Sequence, residues 1–178
     1  MRTNLTIASS WGRFECCFVD DKLTELQLPY LEQRPKSPFT LSFVESSPLH
    51  HYIHDYMIGA VVTPIEFQFE GTSFQQLVWT KLLKMKAGET ICYAELAASI
   101  GHPRSFRAVA QACAKNPLPL VIPCHRVVGK SSLGGYAYGL FWKNSYWLWK
   151  NEAITNVGLH PELRGVGFVT VSHETKLS

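Results

Sequence analysis

The sequence predicts an α+β protein: a small N-terminal domain of antiparallel strands with one helix, followed by a mainly helical C-terminal domain carrying a helix-turn-helix pattern. Three observations lead there. Short alternating apolar runs with turn punctuation fill the early part of the chain, a Pro-rich break follows at residues 32–38, and from Ser73 the apolar spacing becomes helical. At 178 residues and 46% hydrophobic content the chain can bury a substantial core.

NLTIAS, FECCFV and LTELQL read as three strands of a meander, with Trp11-Gly12 and Asp20-Asp21 where the chain must turn. SPLHHYIHDYMIGA then sets Leu49, Tyr52, Ile53, Tyr56 and Met57 at helical spacing, on a helix expected to lie on the sheet. SFQQLVWTKLLKMKAG opens with a Ser or Thr cap, aligns Phe74, Leu77, Val78, Leu82 and Met85 on one face, and ends at Gly88. YAELAASIG and RSFRAVAQACAKNP form two shorter helices joined at Gly101-His102-Pro103, either a helix-turn-helix or an ordinary helical hairpin. The expected domains are 1–70 (the sheet and its helix), 71–155 (the helical part) and 156–178, an extension in which GFVTV can add a strand.

Charge is unevenly divided. Residues 1–70 hold five Lys and Arg against nine Asp and Glu, a net of −4, whereas residues 71–178 hold twelve against five, a net of +7. A positive field on one half suits a polyanion such as nucleic acid. The second short helix adds to this, because Ala108, Ala110, Ala112 and Ala114 keep it narrow while Arg104, Arg107 and Lys115 make it basic. A narrow basic helix can approach a DNA backbone closely, and an arginine on it can enter the base stack or pair with phosphate.

No apolar run is long enough for a membrane span, and the N-terminal MRTNLTIASSWGRFE is polar where a signal peptide is apolar, so a soluble, unexported, cytoplasmic protein is expected. It would be nucleoid-associated in a bacterium and nuclear in a eukaryote. Five cysteines, Cys16, Cys17, Cys92, Cys113 and Cys124, make a poor disulfide framework, and Cys16 and Cys17 should point to opposite faces of a strand. His50, His51 and His54 have no cysteine nearby and read as a solvated turn, so no metal is expected.

The stretch VIPCHRVVGK holds the chemistry. A thiol with a pKa near ~8.5 is mostly protonated at neutral pH and needs a base or a positive environment to become a nucleophile. His125 is adjacent to Cys124 but would diverge on a strand, so a bridging water or a turn at Pro123 is required; Arg126 and nearby helix N-termini can also favour the anion. A buried structural cysteine beside a satisfied histidine is the alternative.

The order RAV, NP, PCHRVV, a GY loop and a Glu-ended helix resembles the O6-alkylguanine-DNA alkyltransferases, also called methylated-DNA–protein-cysteine methyltransferases, over residues 71–152. The resemblance implies that Cys124 accepts the alkyl group once and irreversibly, that His125 is its base through a water, and that Glu152 orients His125. It implies that Tyr93 hydrogen-bonds the extruded guanine, that Arg107 replaces the flipped nucleotide or binds phosphate, and that Asn116 lies in the turn after the recognition helix or caps that helix. Arg104, Lys115 and Ala108 complete the DNA face; Pro123, Tyr136, Ala137 and Tyr138 line the substrate pocket. The partner implied is double-stranded DNA containing O6-alkylguanine, with O4-alkylthymine a further substrate, met by a monomer without a cofactor.

Four positions depart from the family pattern. Cys92 stands where serine is usual, Ala110 replaces a glycine, Tyr138 sits where a small residue and glycine are common, and Lys143 lies two residues too far upstream when Leu148-Trp149 and Glu152 are aligned. A short insertion before the last helix reconciles the last of these. Two other functions compete: a catalytically silent lesion-binding protein, against which the retained Cys124 argues, and a helix-turn-helix regulator, for which no regulatory module is visible in residues 1–70.

Overall fold

The computed structural model describes residues 1–143, apart from 33–34, 43–46, 59, 61, 63, 87, 131 and 133. Glu152, the Leu148-Trp149 pair and the 156–178 extension therefore lie outside the described residues.

Three strands, β1 (Arg2–Ser9), β2 (Gly12–Val19) and β3 (Lys22–Gln27), form an antiparallel meander in that order. Asp20 and Asp21 both take positive φ, 49° and 63°, as a two-residue turn between right-twisted strands requires. Ile7, Phe14, Cys16, Leu23 and Leu26 enter the core from this sheet. Cys17 is covered from the other side, where the Arg2 Nε donates to its Sγ at 3.0 Å. The two adjacent cysteines thus face apart, as strand geometry demands.

Helix α1 (Pro48–Ile58) buries Leu49, Tyr52, Ile53 and Met57. Two of its side chains reach the later half of the chain, the Tyr52 hydroxyl meeting the Leu120 carbonyl at 3.5 Å and the Tyr56 hydroxyl the His125 ring at 3.5 Å. The histidines are not a solvated turn. All three lie on α1, and His50 is buried with its Nδ1 2.8 Å from the Ser47 hydroxyl.

Helix α2 (Ser73–Leu83) starts at a capping box, in which Thr72 Oγ1 accepts the Gln75 amide and Gln75 Oε1 accepts the Thr72 amide. It ends at Leu83, short of Gly88, with the Lys84 amide turned back on the Lys81 carbonyl, and Arg126 Nη1 takes the carbonyls of Met85 and Lys86, each at 3.0 Å, just past the last turn. Its buried residues are Val78, Trp79 and Leu82, with Leu77 47% exposed. Trp79 takes the place expected of Leu77, since its indole N–H reaches the Ala112 carbonyl at 2.9 Å and fastens α2 to the helix behind it.

A two-residue strand β4 (Ile91–Cys92) leads into α3 (Tyr93–Ser99), and a short turn leads to α4 (Phe106–Ala114). β4 pairs in parallel with β5 (Val127–Val128), matching Ile91 with Val127 and Cys92 with Val128. One apolar cluster runs without a break from Ile7 on β1 to Trp142.

Cys92 caps α3 with sulfur: its Sγ accepts the Glu95 amide at 3.4 Å while the Glu95 carboxylate accepts the Cys92 amide at 2.9 Å. The Cys92 amide, with its thiol second, holds the Glu95 carboxyl below its ordinary pKa. Sulfur is a weak acceptor. Cys92→Ser should stabilise the protein by about 0.5–1 kcal/mol, the range of a good cap over a poor one, read as a higher urea midpoint at unchanged slope. An unchanged midpoint would show the sulfur cap to be as good.

Candidate active site

The route from α4 to Cys124 is a closed loop held by one side chain. After Lys115 ends the helix, Asn116 turns inward and is buried. Its Oδ1 accepts the Leu118 amide at 2.9 Å, and its Nδ2 donates to the Ile122 carbonyl at 2.8 Å and to the Cys124 Sγ at 2.9 Å. Leu120 sits at φ 76°, a region costly for a leucine, so the surrounding bonds must hold it there. Pro123, at φ −80° and ψ 60°, is the centre of an inverse γ-turn closed by the Cys124 amide on the Ile122 carbonyl at 2.8 Å. Proline suits this position because its ring fixes φ near that value. Cys124–Arg126 then form one 3₁₀ turn rather than a strand, and β5 begins.

Cys124 is buried, and burial pushes its thiol above the ordinary pKa. Four features oppose that shift: the Asn116 amide, the Tyr136 hydroxyl 3.7 Å from Sγ, the cysteine's own backbone N–H, and the charge of Lys143. The balance keeps the resting group a thiol but surrounds it with donors for the thiolate.

Lys143 is the residue that sequence reasoning left out of the site. It is buried, its Nζ donates to the Gly135 carbonyl at 3.0 Å and the Tyr93 hydroxyl at 3.4 Å, and it lies 5.6 Å from the centre of the Tyr93 ring. Burial lowers its pKa, while Cys113 and Cys124 favour its charged form. Gly134 takes φ 71°, a conformation that glycine adopts freely, where the loop passes the same ammonium. Burial, reinforced by Cys113 and Cys124, pushes the Tyr93 phenol up to about 12, so it keeps its proton. The signal for Lys143 in the sequence is its position after the GY loop, two residues upstream of the family alignment.

His125 is buried, with its Nε2 3.5 Å from the Tyr56 hydroxyl on α1. Its expected partner Glu152 lies outside the described residues. Arg126 is directed to the end of α2 as described above, which removes it from the thiol's surroundings. Of the expected pocket residues, Pro123 is buried, while Tyr136 and Tyr138 are half-buried in edge contact at 6.0 Å. Burial, with a smaller contribution from Cys124, raises the Tyr138 pKa, and its ring packs on Tyr136, whose hydroxyl is 3.7 Å from the Cys124 Sγ. Ala137, between them, is exposed.

The outer face of α4 carries Arg107, Ala108, Gln111, Ala114 and Lys115, all exposed, with Arg104 exposed in the turn before it. Val109, Ala112 and Cys113 form the inner face, so Ala112 does not contribute to the narrow outer surface. Asn116 is also withdrawn from that surface, because its amide is committed to the loop and the sulfur. Among the described residues no three His, Cys, Asp or Glu side chains are grouped to hold a metal, and no helix is long and apolar enough to cross a membrane.

Fold and site together define a protein that holds one donor-lined, buried cysteine behind a basic, small-residue helix. Residues 73–154 match the family model described as "6-O-methylguanine DNA methyltransferase, DNA binding domain". A probable methylated-DNA–protein-cysteine methyltransferase of Acanthamoeba polyphaga mimivirus is 36% identical over 138 residues, covering 73% of this chain and 91% of that protein. The constitutive methylated-DNA–protein-cysteine methyltransferase of Bacillus subtilis is 52% identical over 87 residues, covering 48% of this chain and 53% of that protein, so the chain spans about half of that relative. The crystal structure of Mycobacterium tuberculosis OGT in complex with DNA superposes with a TM-score of 0.69 at 30% identity, covering 84% of this chain and 93% of that one. The chain belongs to the methylated-DNA–protein-cysteine methyltransferase family.

The Asn116 amide has a measurable signature. Asn116→Ala removes a donor to the sulfur and strands the Ile122 carbonyl and the Leu118 amide, at a cost of about 1–3 kcal/mol in stability. The thiol pKa should rise further, so the rate of iodoacetamide labelling on the Cys124 peptide should need a higher pH to reach the same value. A labelling profile at the wild-type pH would show that Asn116 acts on the loop alone.

Proposed function

We propose that this protein repairs DNA by direct reversal, taking an alkyl group from O6 of guanine in the duplex onto Cys124 and inactivating itself. The observation that carries this reading is the Asn116–Cys124 contact at 2.9 Å, which sets a donor-lined thiol within a family whose named members are protein-cysteine methyltransferases. The target atom is inside the base stack, so the damaged nucleotide must leave the duplex before a buried sulfur can line up behind the alkyl carbon. In this reading α3, its turn and α4 act as the helix-turn-helix, Arg104 and Lys115 bind phosphate, and Arg107 fills the space of the extruded nucleotide. The domain division at residue 70 separates the sheet from this DNA-binding part.

The chemistry follows from the site's donors. His125 takes the thiol proton through a water, with Glu152 orienting it, and the thiolate attacks the alkyl carbon. The carbon–oxygen bond breaks as the carbon–sulfur bond forms, and its electron pair passes to the guanine. Tyr93 supplies a proton to the ring, with Lys143 against its hydroxyl. The net proton transfer is from the thiol to guanine, and no cofactor takes part. The product thioether is not hydrolysed, so each molecule acts once, as a monomer, on cytoplasmic, nucleoid or nuclear DNA; O4-alkylthymine is a further substrate.

Intact mass is the direct test. After incubation with an O6-methylguanine duplex the protein should gain one methyl group, about 14 Da, on the Cys124 peptide, and turnover should stop at one. Repeated turnover, or a label on Cys92 or Cys113, would overturn the assignment.

Tyr138 should limit the size of the alkyl group. Its half-buried ring, in edge contact with Tyr136 near the thiol, occupies volume that a benzyl group needs and a methyl group does not. Overpacking of that kind costs about 1–3 kcal/mol, so Tyr138→Gly should react with O6-benzylguanine roughly ten- to a hundredfold faster while methyl transfer from DNA stays close to wild type. An unchanged or slower benzyl rate would mean that Tyr138 holds the substrate ring instead.

A further inference from the structure

We infer that Phe106 is a second wedge on the DNA-facing helix, working beside Arg107 to hold open the base step from which the damaged nucleotide leaves. The inference rests on the repair reading above and adds a residue to its DNA contact. Phe106 is the first residue of α4 and is 46% exposed. The other large hydrophobics exposed among the described residues, Met1, Tyr30, Leu77 and Leu140, lie elsewhere in the chain. An aromatic ring left in water at that point adds little to folding, and every other exposed position on α4 is small, basic or an amide.

Its placement is specific. By helical rotation Phe106 lies at the edge of the outer face, between buried Val109 and exposed Arg107. The Arg107 guanidinium carbon lies over the Phe106 ring, 5.8 Å from its centre, so the cation and the aromatic ring form one unit at the start of the helix. Arg104 and Lys115 flank the same face with positive charge, which complements a phosphate backbone on either side of the groove. Proteins that kink DNA from the minor groove insert an apolar side chain between bases and anchor it with nearby cations. Here the two wedge elements divide the work. Arg107 fills the vacated position with a group that can hydrogen-bond, and Phe106 stacks on the neighbouring base, which has lost its partner in the stack.

The test compares second-order methyl-transfer rates from O6-methylguanine in a duplex with the rate on free O6-benzylguanine, for wild type, Phe106→Ala and Phe106→Trp. Stacking of one base on an aromatic side chain predicts that Phe106→Ala loses roughly ten- to a hundredfold on the duplex. The free-base rate should be unchanged, and Phe106→Trp should retain the duplex rate. A 2-aminopurine placed beside the lesion should change its emission on binding wild type and not on binding Phe106→Ala. An undiminished duplex rate for Phe106→Ala overturns the wedge. Equal loss on duplex and free base also overturns it, by placing Phe106 in the fold or the chemistry. If wild type takes no methyl group from the duplex yet binds it, the repair reading itself fails, which is a separate outcome.

Discussion

Everything at the active site depends on one amide. The Asn116 side chain closes the turn after α4, holds the Ile122 carbonyl that Pro123 needs for its γ-turn, and donates to the cysteine sulfur. These three bonds make the position of Cys124 a consequence of where α4 ends. They also explain how Leu120 can stay at an unfavourable φ, since the segment on either side of it is fixed at both ends. A thiol on an untied loop would be free to ionise in water but could not be aimed. Here burial raises its pKa, and the donors offset part of that rise in a geometry already set.

The N-terminal sheet supports this arrangement through backbone contacts. The Leu26 amide bonds the Pro117 carbonyl at 2.8 Å, so β3 grips the residue next to Asn116. The Trp142 indole donates to the Pro29 carbonyl at 2.6 Å, which fixes the residue before Lys143. Tyr52 and Tyr56 from α1 reach Leu120 and His125. The acidic half of the chain thus braces the reactive segment from behind while the basic half presents α4 outward.

The strands, α1 and the pair α3 and α4 were legible because alternation, helical spacing and turn residues are local signals. Cys124 stands out in the sequence because the residues flanking it resemble the family pattern, whereas its burial and its donors come only from the fold. The inward direction of Asn116 was not, since an asparagine after a helix caps, turns or contacts a partner with equal ease, and only the fold decides. Lys143 was missed for a related reason. A lysine is read as solvated unless something buries it, and the groups that do so, Tyr93 and Gly135, are distant in sequence or carry no side chain. Arg126 was read as a helper of the thiol because it is near in sequence, yet its long side chain reaches the end of α2. Leu77 and Trp79, two residues apart, lie on opposite sides of the Val78–Leu82 line, and the fold buries the Trp79 side, where the indole N–H finds the Ala112 carbonyl.

Gly139 shows where the loop of Tyr136 and Tyr138 is pinned to the early part of the chain. It has φ 93°, and a Cβ there would lie 2.1 Å from the Leu31 carbonyl oxygen. On either side of it the Leu31 amide bonds the Tyr138 carbonyl at 2.9 Å and the Phe141 amide bonds the Leu31 carbonyl at 3.2 Å. The tyrosines that roof the thiol therefore take their height from a residue more than a hundred positions earlier in the chain. For anyone who would trim this protein to a compact labelling tag, the matched family segment is the wrong place to cut. A fragment that starts at residue 71 keeps the nucleophile and the α4 surface but discards the strut on which the roof rests.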